Sequence, residues 1–164
     1  MALLKDGMLT EDQYTDVSGA ENPDFSGPVI VSLQQWLDNK DQLSAHNTPL
    51  GIILRSDEKP ERIKDDLHHF SVIALEFPTF RDGRAYSYAR LLRDRYGYTG
   101  ELRAMGEVLL EQLHYMQRVG FNSFAVASDD AAHDWEIASK DLSVWYQPTG
   151  DKRATATSLR HKDD

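Results

Sequence analysis

The sequence predicts an α/β domain of three layers, built on a mostly parallel sheet of about five strands. From residue 28 onward, short β-branched or apolar runs alternate with longer stretches of helical period, a pattern typical of βαβ units. The 164 residues match the size of one ordinary domain, which buries roughly 70% of its unfolded surface without a metal or a disulfide. A flavodoxin-like or Rossmann-like winding is the first expectation. Part of a (β/α) barrel is the alternative, because both give the same linear pattern.

Five runs are expected to form the strands of this sheet. Three of them are apolar nearly throughout, as buried parallel strands are. In chain order the runs are PVIVSL at 28–33, LGIILR at 50–55, FSVIAL at 70–75, ELRAMG at 101–106 and SFAVAS at 123–128.

Two longer helices are expected between the later strands. In residues 106–120, Leu109, Leu113 and Met116 share one face and a glycine ends the stretch. In residues 83–97 the apolar residues also recur at helical spacing. Those apolar residues are Ala85, Tyr88, Ala89, Leu92 and Tyr96. Shorter or broken helical segments are expected at 35–45, 59–70 and 130–140.

The chain is expected to have three parts. Residues 1–27 are polar and rich in turn residues, which predicts an N-terminal extension or a hairpin. Residues 28–147 form the α/β domain, with the run at 142–148 as a final edge strand. Residues 148–164 carry no apolar pattern and are predicted to be disordered.

Composition excludes several classes of function. The chain has no cysteine, which excludes disulfides, cysteine-bound iron–sulfur clusters and a thiol nucleophile, and which fits a reducing compartment. The apolar start is broken at Lys5, so no signal peptide is predicted and the expected location is cytoplasmic. No apolar run approaches the roughly 20 residues of a membrane helix. A pI near 5.1 argues against nucleic acid and membrane surfaces as partners.

No motif for a cofactor or a metal is present. The sequence lacks GxGxxG, GxxxxGK[ST] and GxSxG, so no cofactor is predicted and only a weakly held flavin stays open as an alternative. His68 and His69 would diverge by about 100° on a helix. His133 and Glu136 lack the further carboxylates that a metal site requires. No metal site is therefore expected.

Cationic charge is concentrated in residues 80–95. Five arginines and two aspartates give this stretch a charge of +3 in a chain whose total is −9. Such a local exception in an acidic background is a candidate site for an anion or an acidic partner. The arginines are Arg81, Arg84, Arg90, Arg93 and Arg95.

The candidate site lies where the third and fourth predicted strands end, because ligands bind beyond the carboxyl ends of parallel strands. We expect Arg81, Arg84 and Arg103 to bind an anionic group or a carboxylate of a partner protein. Glu76 and Glu107 would orient them. The competing interpretation is that these two carboxylates pair with the arginines and simply fix the loop. The full candidate set is Glu76, Arg81, Asp82, Arg84, Ser87, Arg90, Arg103 and Glu107.

The remaining polar residues of the stretch have simpler expectations. Ser87 would present a hydroxyl in the first helical turn, although local hydrogen bonding is favoured. Arg90 and Arg93 lie off the apolar stripe and are expected to face solvent with Arg95, where an acidic partner could use them as rim contacts.

Residues 76–126 carry a set of distinctive short motifs. They include FRDGR at 80–84, ARLL at 89–92, GELRA at 100–104 and a glutamine at 112. In these motifs the chain resembles a bacterial domain family of unknown function that is associated with sulfite reduction. One departure is Glu107, where the family pattern has a shorter aspartate.

The resemblance and the residues together give two functional hypotheses. The first is an accessory protein of assimilatory sulfite reduction, which docks on sulfite reductase or its electron donor through the arginine-rich face. The second is an oxidoreductase-type enzyme that binds an anionic substrate or a flavin at the ends of the third and fourth strands, with Glu76 or Glu107 as acid or base.

Overall fold

A computed structural model describes residues 2–127 together with His133 and Glu136. Its strands are β1 Ala2–Lys5, β2 Met8–Thr10, β3 Thr15–Asp16, β4 Val29–Ser32, β5 Leu50–Leu54, β6 Val72–Phe77, β7 Glu101–Gly106 and β8 Ser123–Val126. Its α-helices are α1 Leu33–Asp38, α2 Lys40–Ser44, α3 Arg84–Arg90 and α4 Leu113–Arg118. Short 3-10 helical turns cover Pro60–Ile63, Leu67–His69 and Leu110–Gln112, and a π-helical turn covers Leu91–Arg95.

The α/β class is confirmed, but the five-strand sheet is wrong. All five predicted runs form strands, β4 to β8, and three further strands lie within residues 1–27, the expected extension or hairpin. The eight strands form one sheet in the order β2-β1-β8-β7-β6-β5-β4-β3. Strands β3 to β8 are parallel and follow one another in chain order, whereas β1 is antiparallel to both of its neighbours.

The winding of the sheet also corrects the expected topology. A flavodoxin-like or Rossmann-like sheet reverses its strand order, and this sheet does not. The sheet instead curls into a half-barrel, which matches the alternative of a partial (β/α) barrel. Among residues 2–127 the three-layer arrangement is not present either. Sequential right-handed crossovers place helices on one face of a sheet, and the helices here share a single core with that face.

The curl follows from the short connection between the two edge strands. In a flat sheet of eight strands, neighbours lie about 4.8 Å apart and the edges would be roughly 34 Å apart. Only residues 11–14 connect β2 to β3, and a chain extends at most about 3.5 Å per residue. The two edges must therefore approach each other, and the segment 8–16 contributes to both.

Side chains alternate between the two faces of the half-barrel. On the outer face, residues such as Ile52, Ile73 and Leu102 pack against the helices. The inner face is also tightly packed at its centre. A Cβ added to Gly51 would lie 2.4 Å from Cγ1 of Val72, so only glycine fits between these strands.

The predicted helices are shorter than expected. Residues 35–45 form two helices, α1 and α2, and α1 begins with a capping box in which the Ser32 hydroxyl accepts from the Gln35 N–H. The segment 59–70 forms only 3-10 turns. The helix expected from residue 106 begins later, as a 3-10 turn at Leu110, and becomes α-helical at Leu113, because Leu109 is still extended.

The helix expected at 83–97 is confirmed with one local change. Ala85, Ala89 and Leu92 are buried on the predicted face. The helix ends in a π turn, in which the Tyr96 N–H donates to the carbonyl of Leu91 over 3.1 Å. Such turns are rare and widen the helix locally.

The expectations for the C-terminal residues lie outside the part of the chain that the structure describes. They are the helix at 130–140, apart from His133 and Glu136, which are helical, the edge strand at 142–148 and the disordered tail at 148–164. Within the described residues, no helix has the length and apolar character that crossing a membrane requires.

Candidate functional site

Two loops meet at the carboxyl ends of β6 and β7. The first, residues 78–83, leads from β6 to α3, and the second follows β7. The Glu107 carboxylate accepts a hydrogen bond of 2.9 Å from the Phe80 N–H. The Gln112 amide donates to the Phe80 carbonyl over 3.4 Å. The peptide groups on both sides of Phe80 are thus held by the second loop.

Gly106 allows this close approach. Its φ is +94°, and a Cβ at this position would lie 2.4 Å from the Phe77 carbonyl oxygen. A residue with a side chain would be strained in both respects. The next N–H, that of Glu107, then donates to the same Phe77 carbonyl over 2.8 Å. The glycine therefore sets the position from which the Glu107 side chain reaches Phe80.

The positive charge of Arg84 is paired with a carboxylate two residues away in the sequence, that of Asp82. Its guanidinium lies 2.6 Å from the Asp82 carboxylate and donates to the Ser56 hydroxyl over 2.9 Å. The hydrogen bonds from Arg84 lower the pKa of Asp82 well below its usual range. The partner of Arg84 is therefore Asp82, and neither Glu76 nor Glu107 orients it.

Arg81 differs from Arg84. Its guanidinium lies over the Phe80 ring, 5.4 Å from the ring centre. Within residues 2–127, together with His133 and Glu136, Arg81 forms no ion pair, and Arg95 forms none either. Both side chains are exposed. Their charge is therefore available to a partner.

Arg90 and Arg93 have separate roles. Arg90 is exposed and pairs with Asp94 over 3.2 Å, as expected for a solvated helix face. For Arg93 the expectation of a solvated side chain is wrong. Its guanidinium donates to the carbonyls of Tyr98, Gly100 and Gly120 over 2.7 to 3.0 Å. Burial lowers the pKa of Arg93, so this residue is a clamp on the surrounding backbone.

Arg103 does not join Arg81 and Arg84. The predicted strand at 101–106 is confirmed as β7, but Arg103 lies in its middle and not at the carboxyl end that the candidate site requires. The Arg103 side chain lies on the inner face of the half-barrel and is 1% exposed. Its guanidinium bonds to Glu101 over 2.8 Å and to Asp12 over 2.7 Å. This places its charge toward the amino-terminal end of the strands, the end of barrels that serves stability rather than catalysis.

The surroundings of Arg103 form a charged cluster that sequence reasoning missed. The Tyr14 ring lies 5.6 Å from the guanidinium, and the Lys5 ammonium lies 2.8 Å from Glu101. Burial alone would raise the pKa of Glu101, but Lys5 and Arg103 reverse this and hold it below its usual range. A period of two along β7 was the available signal, because Glu101 and Arg103 alternate with Leu102 and Ala104.

Two further candidates stay at the carboxyl end. Glu76 is half-buried on the inner face of β6, and its carboxylate has no hydrogen bond or ion pair among the described residues. Ser87 is exposed on α3. No group of three or more metal-ligating side chains occurs in the region that the structure describes.

Exposed aromatic side chains accompany Arg81. Phe80 is 40% and Tyr115 is 51% exposed. The Tyr115 ring packs against Tyr86 at 5.2 Å between ring centres, and Gln112, one turn before Tyr115, contacts the Phe80 carbonyl. We call Phe80, Arg81, Tyr86 and Tyr115 the Phe80 patch. The sequence does not predict Phe80 or Tyr115 as candidates, because the exposure of a single aromatic side chain has no signature in the sequence.

Comparison with known proteins gives one result. Residues 51–157 match the family model described as a bacterial protein of unknown function (DUF934), which covers more than half of the chain. No curated protein matches the chain.

Proposed function

The chain belongs to the DUF934 family of bacterial proteins of unknown function, and we propose that it is an accessory protein that docks on another protein through the Phe80 patch. The observation that carries this proposal is Arg81, an exposed arginine on an exposed phenylalanine with no carboxylate partner among the described residues. The resemblance of residues 76–126 supplies the context, assimilatory sulfite reduction, with sulfite reductase or its electron donor as the partner.

The composition of the patch supports protein docking. Aromatic residues and arginine are enriched in the cores of protein interfaces and carry much of their binding energy. Arg81 can pair with a partner's carboxylate without first breaking an internal ion pair. Arg84 and Arg90 would have to give up Asp82 and Asp94. Arg81 and Arg95 are therefore expected to contribute more than Arg84 and Arg90.

The charge of the chain predicts the chemistry of the partner surface. The protein as a whole is acidic, with a net charge of −9, so most of its surface repels an acidic partner, whereas exposed cations such as Arg81 attract one locally. Such a distribution orients the encounter and makes the association rate depend on salt. The partner surface should therefore be acidic around an apolar recess.

The test measures binding of the whole chain to purified sulfite reductase holoenzyme and, separately, to its electron-donor protein. We expect Arg81→Glu to weaken binding about tenfold or more, because it places like charges at the contact. Arg62→Glu is the matched control, since Arg62 is exposed in a 3-10 turn outside the patch. It should change the Kd by less than about twofold. Equal affinity of Arg81→Glu and wild type, or no binding to either protein, would refute the proposal.

One observation favours the second candidate, an oxidoreductase-type enzyme. Glu76 is a half-buried carboxylate without a partner among residues 2–127 at the carboxyl end of β6, where barrel enzymes place acid or base groups. Arg81 and Arg84 would then hold an anionic substrate or a flavin phosphate. An absorbance spectrum of gently purified protein tests this candidate. Release of a flavin on heating would favour it over docking.

A further inference from the structure

We infer that Glu107 is a positioning residue that holds the Phe80 patch in the conformation that binds the partner. This inference rests on the proposed function, because it assigns a role to Glu107 in docking. Glu107 itself lies after β7 and does not belong to the patch. It acts through the backbone of Phe80, which it contacts across the two loops.

The loop that carries Phe80 and Arg81 has few ties of its own. Inside residues 78–83 the Asp82 N–H donates to the Thr79 carbonyl over 3.0 Å. The loop contacts the rest of the protein through the backbone of Phe80. The Phe80 N–H donates to the Glu107 carboxylate, and the Phe80 carbonyl accepts from the Gln112 amide. These two contacts fix the direction in which the Phe80 side chain leaves the loop.

A carboxylate suits this role. A hydrogen bond from a backbone N–H to a charged oxygen is about twice as strong as one to a neutral acceptor. Because Phe80 is exposed, water can replace Glu107 as the acceptor at little cost to the folded state. Loss of Glu107 should therefore free the loop without unfolding the protein. The cost would appear on binding, when the loop must be ordered again.

The geometry also defines what the partner must offer. The Arg81 guanidinium lies over the Phe80 ring and Phe80 is 40% exposed, so the exposed part of the ring can enter a recess beside the guanidinium. A partner that fits has an apolar pocket with a carboxylate at its rim, within reach of the guanidinium. Fixing the Phe80 backbone fixes the spacing between these two contacts, which makes Glu107 a determinant of affinity.

The test compares Glu107→Ala and Glu107→Gln in the whole chain. Glu111→Ala is the matched control, since Glu111 is exposed and close in sequence. The first readout is amide hydrogen exchange at Phe80 in ¹H–¹⁵N spectra, which needs no partner. We expect Glu107→Ala to accelerate this exchange about tenfold or more and to leave the midpoint of thermal unfolding within about 2 °C. Glu107→Gln retains an acceptor oxygen and should largely restore the protection.

The second readout is the Kd for sulfite reductase holoenzyme and for its electron-donor protein. We expect Glu107→Ala to weaken binding about tenfold and Glu111→Ala to leave it unchanged. Unchanged exchange at Phe80 in Glu107→Ala would overturn the inference, and so would faster exchange with an unchanged Kd. If wild type binds neither protein, the proposed function fails first. Normal binding by wild type with either of the former results overturns only the role of Glu107.

Discussion

Replacement of Arg103 by methionine should destabilise the fold and should not act on binding selectively. The guanidinium is 1% exposed and makes its ion pairs with Glu101 and Asp12. Removing one partner of a buried ion pair costs about 3 to 5 kcal/mol because a buried charge is left behind. Lys5 still pairs with Glu101 in the variant, and the Asp12 side chain is exposed enough to hydrate. We therefore expect the lower value, about 3 kcal/mol.

Urea unfolding, followed by tryptophan fluorescence, to which the buried Trp36 contributes, measures this loss. With a slope of about 2 kcal/mol per molar urea, the midpoint should fall by about 1.5 M. Arg90→Met is the control, because Arg90 is an exposed arginine in an i,i+4 pair with Asp94. Its midpoint should fall by less than about 0.3 M.

A second substitution tests the cause of the loss. Adding Glu101→Gln to Arg103→Met removes a buried carboxylate that has lost one of its two cationic partners and keeps only Lys5, so the double variant should recover about 1 kcal/mol of the lost stability. The reasoning is refuted if Arg103→Met unfolds at the same urea concentration as Arg90→Met. It is also refuted if Glu101→Gln destabilises the Arg103→Met protein further.

Three other variants probe the fold. Arg93→Lys keeps the charge but leaves most of the three backbone carbonyls that Arg93 contacts without a donor. It should lower the free energy of unfolding by about 2 kcal/mol. An unchanged urea midpoint would show that water replaces Arg93 at these carbonyls without cost. Gly51→Ala forces a methyl group against Val72 and should cost about 1 to 3 kcal/mol by the same assay, whereas full stability would mean that Val72 moves aside. Burial, and then the charge of His68, lowers the pKa of His69 below 6.5. The folded state therefore binds this proton less tightly than the unfolded chain, so stability is complete above about pH 6.5 and falls as the pH drops below it. His69→Asn should flatten this fall in urea titrations between pH 5 and 7, and an unchanged slope would assign it to other groups.

The sequence predicts β4 to β8 one by one, whereas it predicts residues 1–27 only as an extension or a hairpin. Runs such as 70–75 are recognisable because a strand buried on both faces must be apolar nearly throughout. Strands β2 and β3 are exposed at every residue, so they lack a continuous apolar run and their sequence does not distinguish them from a polar extension. Strand order was beyond reach for a different reason, since hydrophobic periodicity says which face is buried but not which strand lies beside it.

The candidate site shows a similar division. Contacts between residues that are close in sequence can be predicted, such as the ion pair of Arg84 with Asp82 two residues before it. Contacts between residues that are distant in sequence cannot be predicted in this way, and Glu107 contacts Phe80 across 27 residues of sequence. The direction of the Arg103 side chain was in principle readable from the alternation along β7. The inward turn of Arg93 was not, because it depends on the π turn that ends the helix.

The pairing of β1 with β8 has a consequence for how the chain folds. Leu3 lies opposite Ala125, so β1, which is synthesised before the parallel strands, cannot pair with its neighbour until β8 has been synthesised. The parallel strands in between can assemble progressively as they emerge, each beside the one before it. Closing the long loop between β1 and β8 comes late and slowly. Until β8 is available, the hairpin of β1 and β2 lacks its neighbouring strand, and Met8 and Leu9 are exposed on it. A nascent chain should therefore be most vulnerable to aggregation and proteolysis before β1 pairs with β8.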